Sequence, residues 1–298
     1  MGEPLDPLES LFKRYHRAEF IATDPLEIVK SYPRASDREV VGLVAAVLAY
    51  GQVRPMKDDI RRILEPLGSR PAAFLRAAPL RRIRAPRGWA HRFVAAADGT
   101  VLLRSLASLL RDRGRLRTVF LEGHRAAAPT VRPALDHFVD ALRAACERTA
   151  GIPWDRLPAG LKHLLPHPAD GSACKRWNLY LRWMGRGGGT DIDPGDWRPR
   201  LQPRQLIVPL DVHLFRTALR EGWTERRAPS WKAAEDVTAR LRGLDPSDPL
   251  RYDFALTRPG ILKRMGSPGK GTSQDRLEKR KEVRGHGRRD SGAGRTSG

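Results

Sequence analysis

The apolar positions of this chain recur at three- and four-residue spacing along most of its length, the signature of helices packed by one face. Leu8, Leu11, Phe12 and Tyr15 predict a short helix over Asp6–Tyr15. Asp24-Pro25 reads as a cap and first-turn proline opening a helix over Leu26–Ser31. Ser36–Tyr50 carries Val40, Val41, Leu43, Val44, Val47 and Leu48, which cover nearly every side of a helix and predict a central, buried one. Ser36 and Glu39 have the spacing of a capping box at its start. Gly51-Gln52-Val53 breaks it, and Met56–Leu67 follows as an amphipathic helix.

Further helices are predicted over Pro71–Leu80, Ala95–Arg113, Leu116–Leu121, Arg132–Arg148, Ala173–Met184, Asp211–Arg220, Ser230–Leu241 and Pro249–Thr257. Arg81–Ala90 reads as a basic connection, Ile152–Pro168 as a proline-punctuated one, and Gly185–Gln205 as a long loop. The one strand-like run, Leu206–Pro209, is too short to build a sheet. The pattern gives an all-α fold: one helical domain over residues 1–263, then a basic tail over 264–298 that lacks apolar anchors and is expected to be disordered.

Charge adds a partner to this picture. The formal net charge is +21 over 298 residues, and the tail, with ten Lys/Arg and four Asp/Glu, supplies only +6 of it. The remaining +15 must be displayed on the folded body, as a protein that binds a polyanion displays it. Nucleic acid is the expected partner, and the basic body permits DNA and RNA equally. The basic side chains are 45 Arg and 10 Lys, which gives each Lys more weight, because a lysine can lose its proton and act as a nucleophile. Cys146 and Cys174 form no metal-ligand spacing and no disulfide framework, the histidines are scattered, and no cofactor or metal is expected. No apolar run reaches the ~20 residues of a membrane span, and a cytoplasmic monomer is expected.

Three segments carry the candidate chemistry. In the run Leu206–Arg216 an apolar approach and Pro209 precede Asp211, a carboxylate at a helix mouth. On spacing alone this is an N-cap. The turn-rich run Pro168–Ser172 precedes Lys175 and Arg176 at the start of a helix, where phosphate contact is an ordinary role for a lysine. Tyr50-Gly51-Gln52 ends the buried helix in a polar turn. Asp191, Asp193 and Asp196 are spaced like half a calcium loop but lack its later Glu, and read as turn and cap residues. Trp177 and Trp183 read as core.

Val208-Pro209-Leu210-Asp211-Val212-His213 is similar to the V-P-V-D-x-H signature of the helix-hairpin-helix DNA glycosylase superfamily. The resemblance implies a two-lobed helical glycosylase-like fold, with Asp211 as the catalytic carboxylate and Lys175 as a nucleophile or a phosphate contact. It also implies DNA contacts at Gly171, Ser172, Arg176, His213 and Arg216, and at Gln52 as a filler of the gap left by a flipped base. The hairpin has one glycine where the superfamily has two, and the Lys175-to-Asp211 interval is long, a stretch shared by the archaeal 8-oxoguanine glycosylase branch. The body, from about residue 5 to 260, also resembles the bacterial domain-of-unknown-function 2400 family, most distinctively in Lys175–Met184, Asp193–Trp197 and Asp245–Pro249. The activity expected from the superfamily resemblance is that of an N-glycosylase, with or without abasic-site lyase activity. The alternative is a nucleic-acid-binding protein that keeps the fold without catalysis.

Overall fold

The computed structural model describes residues 7–189 and 191–266. Residues through Gly260 pack as one unit, and Ile261 onward form a second, of which only the end of a helix to Gly266 is described. The expected tail boundary at 263/264 falls inside that helix; from Ser267 the tail lies outside the described residues.

The helices are α1 (Pro7–Tyr15), α2 (Leu26–Lys30), α3 (Ala35–Val47), α4 (Val53–Leu64), α5 (Pro71–Ala77), α6 (Ala96–Arg113) and α7 (Leu116–Glu122). They continue as α8 (Arg132–Ala150), α9 (Ala159–Leu164), α10 (Lys175–Gly185), α11 (Val212–Arg220), α12 (Trp231–Leu244) and α13 (Asp253–Gly266). The all-α expectation holds, and α3 is central as its all-round apolar pattern requires: every residue from Val40 through Leu48 is buried, and α2, α4, α5, α7 and α10 all pack on it. It meets α10 at Gly42, where a Cβ would lie 3.2 Å from Met184 Cε and 3.3 Å from the Tyr180 ring. A side chain there would require the Met184 methyl and the Tyr180 ring to give way by a few tenths of an ångström. Helices α6, α7 and α8 pack on one another beside this pair.

Three expectations are corrected, and one, that Leu206–Pro209 is too short to build a sheet, holds. The Ser36–Glu39 capping box does not form: Arg34 is the N-cap residue and offers no side-chain bond. Glu39 instead turns into the core, where it accepts from Arg115 Nη2 (2.6 Å), Trp197 Nε1 (3.1 Å) and the Arg117 amide (3.4 Å). Burial pushes its carboxyl above the ordinary range against the pull of Arg115. The basic connection Arg81–Ala90 leads into the one sheet among the described residues, an antiparallel hairpin of β1 (Ala90–His91) and β2 (Val94–Ala95). Leu206–Pro209 is buried and joins no sheet, as its length implies, and the Val208 amide donates to Thr238 Oγ1 of α12 (3.0 Å). Helix α13 begins at Asp253, not at Pro249, and runs through Pro259.

Trp177 and Trp183 are fully buried, as a core reading requires. No helix among the described residues is long and apolar enough to cross a membrane.

Candidate nucleic-acid interface

Helix α10 organises the region. Its far end is held by a buried ionic network into which the distinctive runs of the sequence converge. Arg182, 2% exposed, donates to Asp253 Oδ2 (2.6 Å) and Asp193 Oδ1 (3.3 Å). Arg186 donates to Asp193 Oδ2 (3.0 Å), Asp191 Oδ1 (3.1 Å) and Asp248 Oδ2 (2.9 Å). Asp196 closes a bidentate pair with Arg38 of α3 (2.8 and 2.5 Å), and the Gly195 and Trp197 amides donate to the carbonyls of Trp183 and Met184. Asp191, Asp193 and Asp196 are therefore counter-charges that dock the long loop onto α10 and α3, not simple turn residues. Among the described residues no group of three His, Cys, Asp or Glu is placed to hold a metal ion.

Burial alone would lower the Arg182 pKa; Asp193, Asp253 and Asp24 outweigh it and raise it. Burial raises Asp253, Arg182 opposes, and the charge of Asp211 raises Asp253 further. Asp211 thus lies within electrostatic reach of the network beneath α10.

Asp211 is the N-cap of α11, half-buried, with Oδ1 accepting from the amides of His213 (2.9 Å) and Leu214 (2.8 Å). Its Oδ2 takes no hydrogen bond from a described residue. Val212, His213 and Arg216 beside it are exposed. Lys175 is the first residue of α10 and half-buried. It follows Gly171, which turns in the left-handed region and is exposed, and Ser172, whose Oγ accepts from the Cys174 amide (3.1 Å). Cys174, at φ +49°, is a strained non-glycine position that delivers the chain into α10. A groove of about 590 Å³ lined by Glu27, Tyr32, Arg61 and Glu65 contains none of these residues.

Arg176 and Gln52 both lie at the turn after α3. Arg176 donates to the carbonyls of Val47 (2.9 Å) and His163, and its guanidinium lies over the Tyr50 ring at 5.2 Å. Burial brings its pKa down to about 10. Its guanidinium is engaged in clamping α10 to the end of α3 and to α9. Gln52, the N-cap of α4, is exposed on the same turn.

Sequence reasoning missed the rest of this cluster. Tyr50 packs edge-on against His91 (4.5 Å between centroids) and His163 (5.0 Å), and His163 against Phe93 (4.7 Å). Helix α9 reaches the hairpin because Gly160 has no side chain: a Cβ there would stand 3.0 Å from the Phe93 carbonyl. His91 Nδ1 pairs with Asp59 Oδ2 (2.9 Å), while His91 Nε2 and Tyr50 Oη are buried without a partner. The available signal was Arg92-Phe93, an apolar side chain placed beside a charged one at the end of a basic connection.

Although His163 is exposed at one side, desolvation of its ring against Tyr50 and Phe93 first, then the charge of Arg176 and the nearby His91, bring its pKa down to about 4. The imidazole is therefore neutral at pH 7. The fold gains from it above the ordinary value of about 6.5 and loses that gain as pH falls through 6.5 toward the folded value. The expected result is a His163 ring resonance titrating near pH 4 by NMR; a midpoint at the ordinary value would remove the cluster as drawn.

No curated protein and no solved structure matches this chain. The model of one family, proteins of unknown function (DUF2400), matches residues 24–262 and so spans α2 through α12 and most of α13. The chain belongs to the DUF2400 family.

Proposed function

We propose that this protein is a DNA N-glycosylase related to the helix-hairpin-helix superfamily, acting on a flipped, damaged purine such as 8-oxoguanine. The observation that carries the reading is the state of Asp211. Its carboxylate is fixed at a helix mouth by two backbone amides on one oxygen, while the other oxygen takes no hydrogen bond from a described residue. That is what stabilising a developing sugar cation requires: a pre-oriented negative charge whose lone pairs are not already spent. The order of α9, the turn through Gly171, α10 opened by Lys175 and α11 capped by Asp211 supports the same reading. So does the basic body.

The target base must leave the stack before any side chain can reach its glycosidic bond. As the base departs with the bonding electron pair, positive charge builds on the sugar, and Asp211 faces it. Water, or the amine of Lys175, then bonds to the anomeric carbon and gives up a proton to Asp211, while the departed base takes up a proton in place of the broken bond. With Lys175 the bond from the anomeric carbon to the ring oxygen then breaks, the ring oxygen takes a proton and the carbon–nitrogen double bond of a Schiff base forms, and loss of a sugar proton expels the 3′ phosphate to cut the strand.

The test is incubation of the full chain with duplex carrying 8-oxoguanine or an abasic site, with borohydride added to trap a Schiff base. Base release with a trapped adduct that disappears in Lys175→Ala is the expected result. Release without an adduct assigns water as nucleophile. No release from any damaged duplex, together with salt-sensitive binding, leaves a binding protein and overturns the enzyme reading.

A further inference from the structure

Between Glu65 and Asp98 the chain has seven arginines and no acidic residue. The stretch from Arg81 to Phe93 is a strap with two faces. Ile83, Ala85, Trp89 and His91 are buried, whereas Arg81, Arg82, Arg84, Arg87, Arg92 and Phe93 are exposed. The buried face is pinned: Trp89 Nε1 donates to the Asp59 carbonyl (2.8 Å), the Ala85 amide to Thr100 Oγ1 (3.1 Å), and Arg104 Nε to the Ile83 carbonyl (3.0 Å). None of the five exposed guanidinium groups makes a hydrogen bond or ion pair with a described residue. Elsewhere on the body some exposed arginines find acids, as Arg61 does with Asp58 and Glu27, Arg113 with Glu122 and Arg226 with Asp236, and others such as Arg54 and Arg240 do not; what sets the strap apart is the run of arginines with no acid between Glu65 and Asp98.

A row of like charges with no counter-charge repels itself, and a solvated surface has no reason to hold it rigidly. Phe93 adds a second feature. It is 57% exposed at the tip of the hairpin, immediately after Arg92 at φ +57°. Its ring rests on His163 and leaves the remainder to solvent. The same tip adjoins the Tyr50–Gln52 turn, since a Cβ on Gly51 would lie 3.5 Å from Arg92 Cδ.

We infer that the Arg81–Phe93 strap is a DNA-binding surface whose arginines hold backbone phosphates and whose Phe93 stacks on an unpaired base. Arginine forks match phosphate oxygens, and an exposed aromatic held beside them offers the π-face that every base can stack on. The inference rests on DNA as the partner proposed above and not on the chemistry at Asp211.

The test is fluorescence anisotropy of the full chain against a duplex with one unpaired base, its fully paired counterpart, tRNA, and phosphatidylserine vesicles, each over a salt series. A variant with Arg81, Arg82, Arg84 and Arg87 all changed to Gln is expected to fold normally by circular dichroism. Its salt slope for duplex should fall by about 3 to 4, near 0.9 for each phosphate released. Phe93→Ala is expected to weaken binding to the unpaired-base duplex by about 5- to 150-fold, the loss of one base stack, and to leave the paired duplex little affected. An unchanged slope in the arginine variant overturns the proposal, as does binding confined to tRNA or to vesicles. Duplex binding that is lost in the arginine variant, with no base release by the wild type, upholds the strap and removes the glycosylase.

Discussion

Asp211→Asn is expected to lower base release by about 10²- to 10⁴-fold, the range for removing a positioned acid–base group, with little change in folding stability. The two halves of this expectation come from different atoms. Oδ1 caps α11 through the His213 and Leu214 amides, and the amide oxygen of asparagine does the same. Asparagine and aspartate are equally good N-caps, so a residue that only caps loses nothing in the exchange. Oδ2 is the atom assigned to the sugar cation, and asparagine replaces it with a neutral donor that repels positive charge. Asp211→Ala would confuse the two, because losing the cap alone costs about 0.5–2 kcal/mol. Single-turnover base release, read beside a urea melt of the same variant, separates them. Wild-type release by Asp211→Asn would return the residue to a structural cap and remove the proposed mechanism.

The parts of this fold that were legible in the sequence are those decided by local pattern. Val40–Leu48 is apolar on every side, so α3 had to be central; Pro209 followed by Asp211 had to open a helix. Ser230 caps α12 with its own Oγ, as its position before an apolar run predicts. The failures share a cause, which is a partner distant in sequence. Glu39 has the spacing of a capping residue, but Arg115 and Trp197 take it into the core. The two-residue strands of the hairpin carry no period, and Asp59, some thirty residues earlier, fixes them through Trp89 and His91. Asp191 and Asp193 look like turn formers until Arg182 and Arg186 arrive on α10. The candidate site divides in the same way. Lys175 and Asp211 stand at helix starts that sequence could place, whereas Tyr50, His91, Phe93 and His163 meet only because separate segments converge.

The ionic network behind α10 gives the largest expected effect on stability. Arg182→Met leaves Asp253, 1% exposed, without the cation that donates to its Oδ2 at 2.6 Å. Asp193 is protected by Arg186, and Arg258, which pairs with Asp24, only partly replaces the lost charge at Asp253. Breaking a buried pair from one side costs about 3–5 kcal/mol, because the remaining charge is stranded in a medium that solvates it poorly. Adding Asp253→Leu to Arg182→Met removes the stranded charge, so the double variant is expected to be more stable than the single one in urea unfolding. The pH dependence has a definite sign. Burial already raises the Asp253 carboxyl in the wild type, and loss of Arg182 raises it further. Below the ordinary carboxyl value of about 3.9 the group is protonated in both folded and unfolded chains, and the stranded charge does not exist. Above it the unfolded chain ionises freely while the folded one resists, so the deficit of the single variant grows from acid toward neutral pH and flattens in the double variant. An equal deficit at pH 4 and pH 7 would show that Arg182 acts by packing over Phe254, where its guanidinium lies 5.7 Å from the ring centroid, and not as the counter-charge of Asp253.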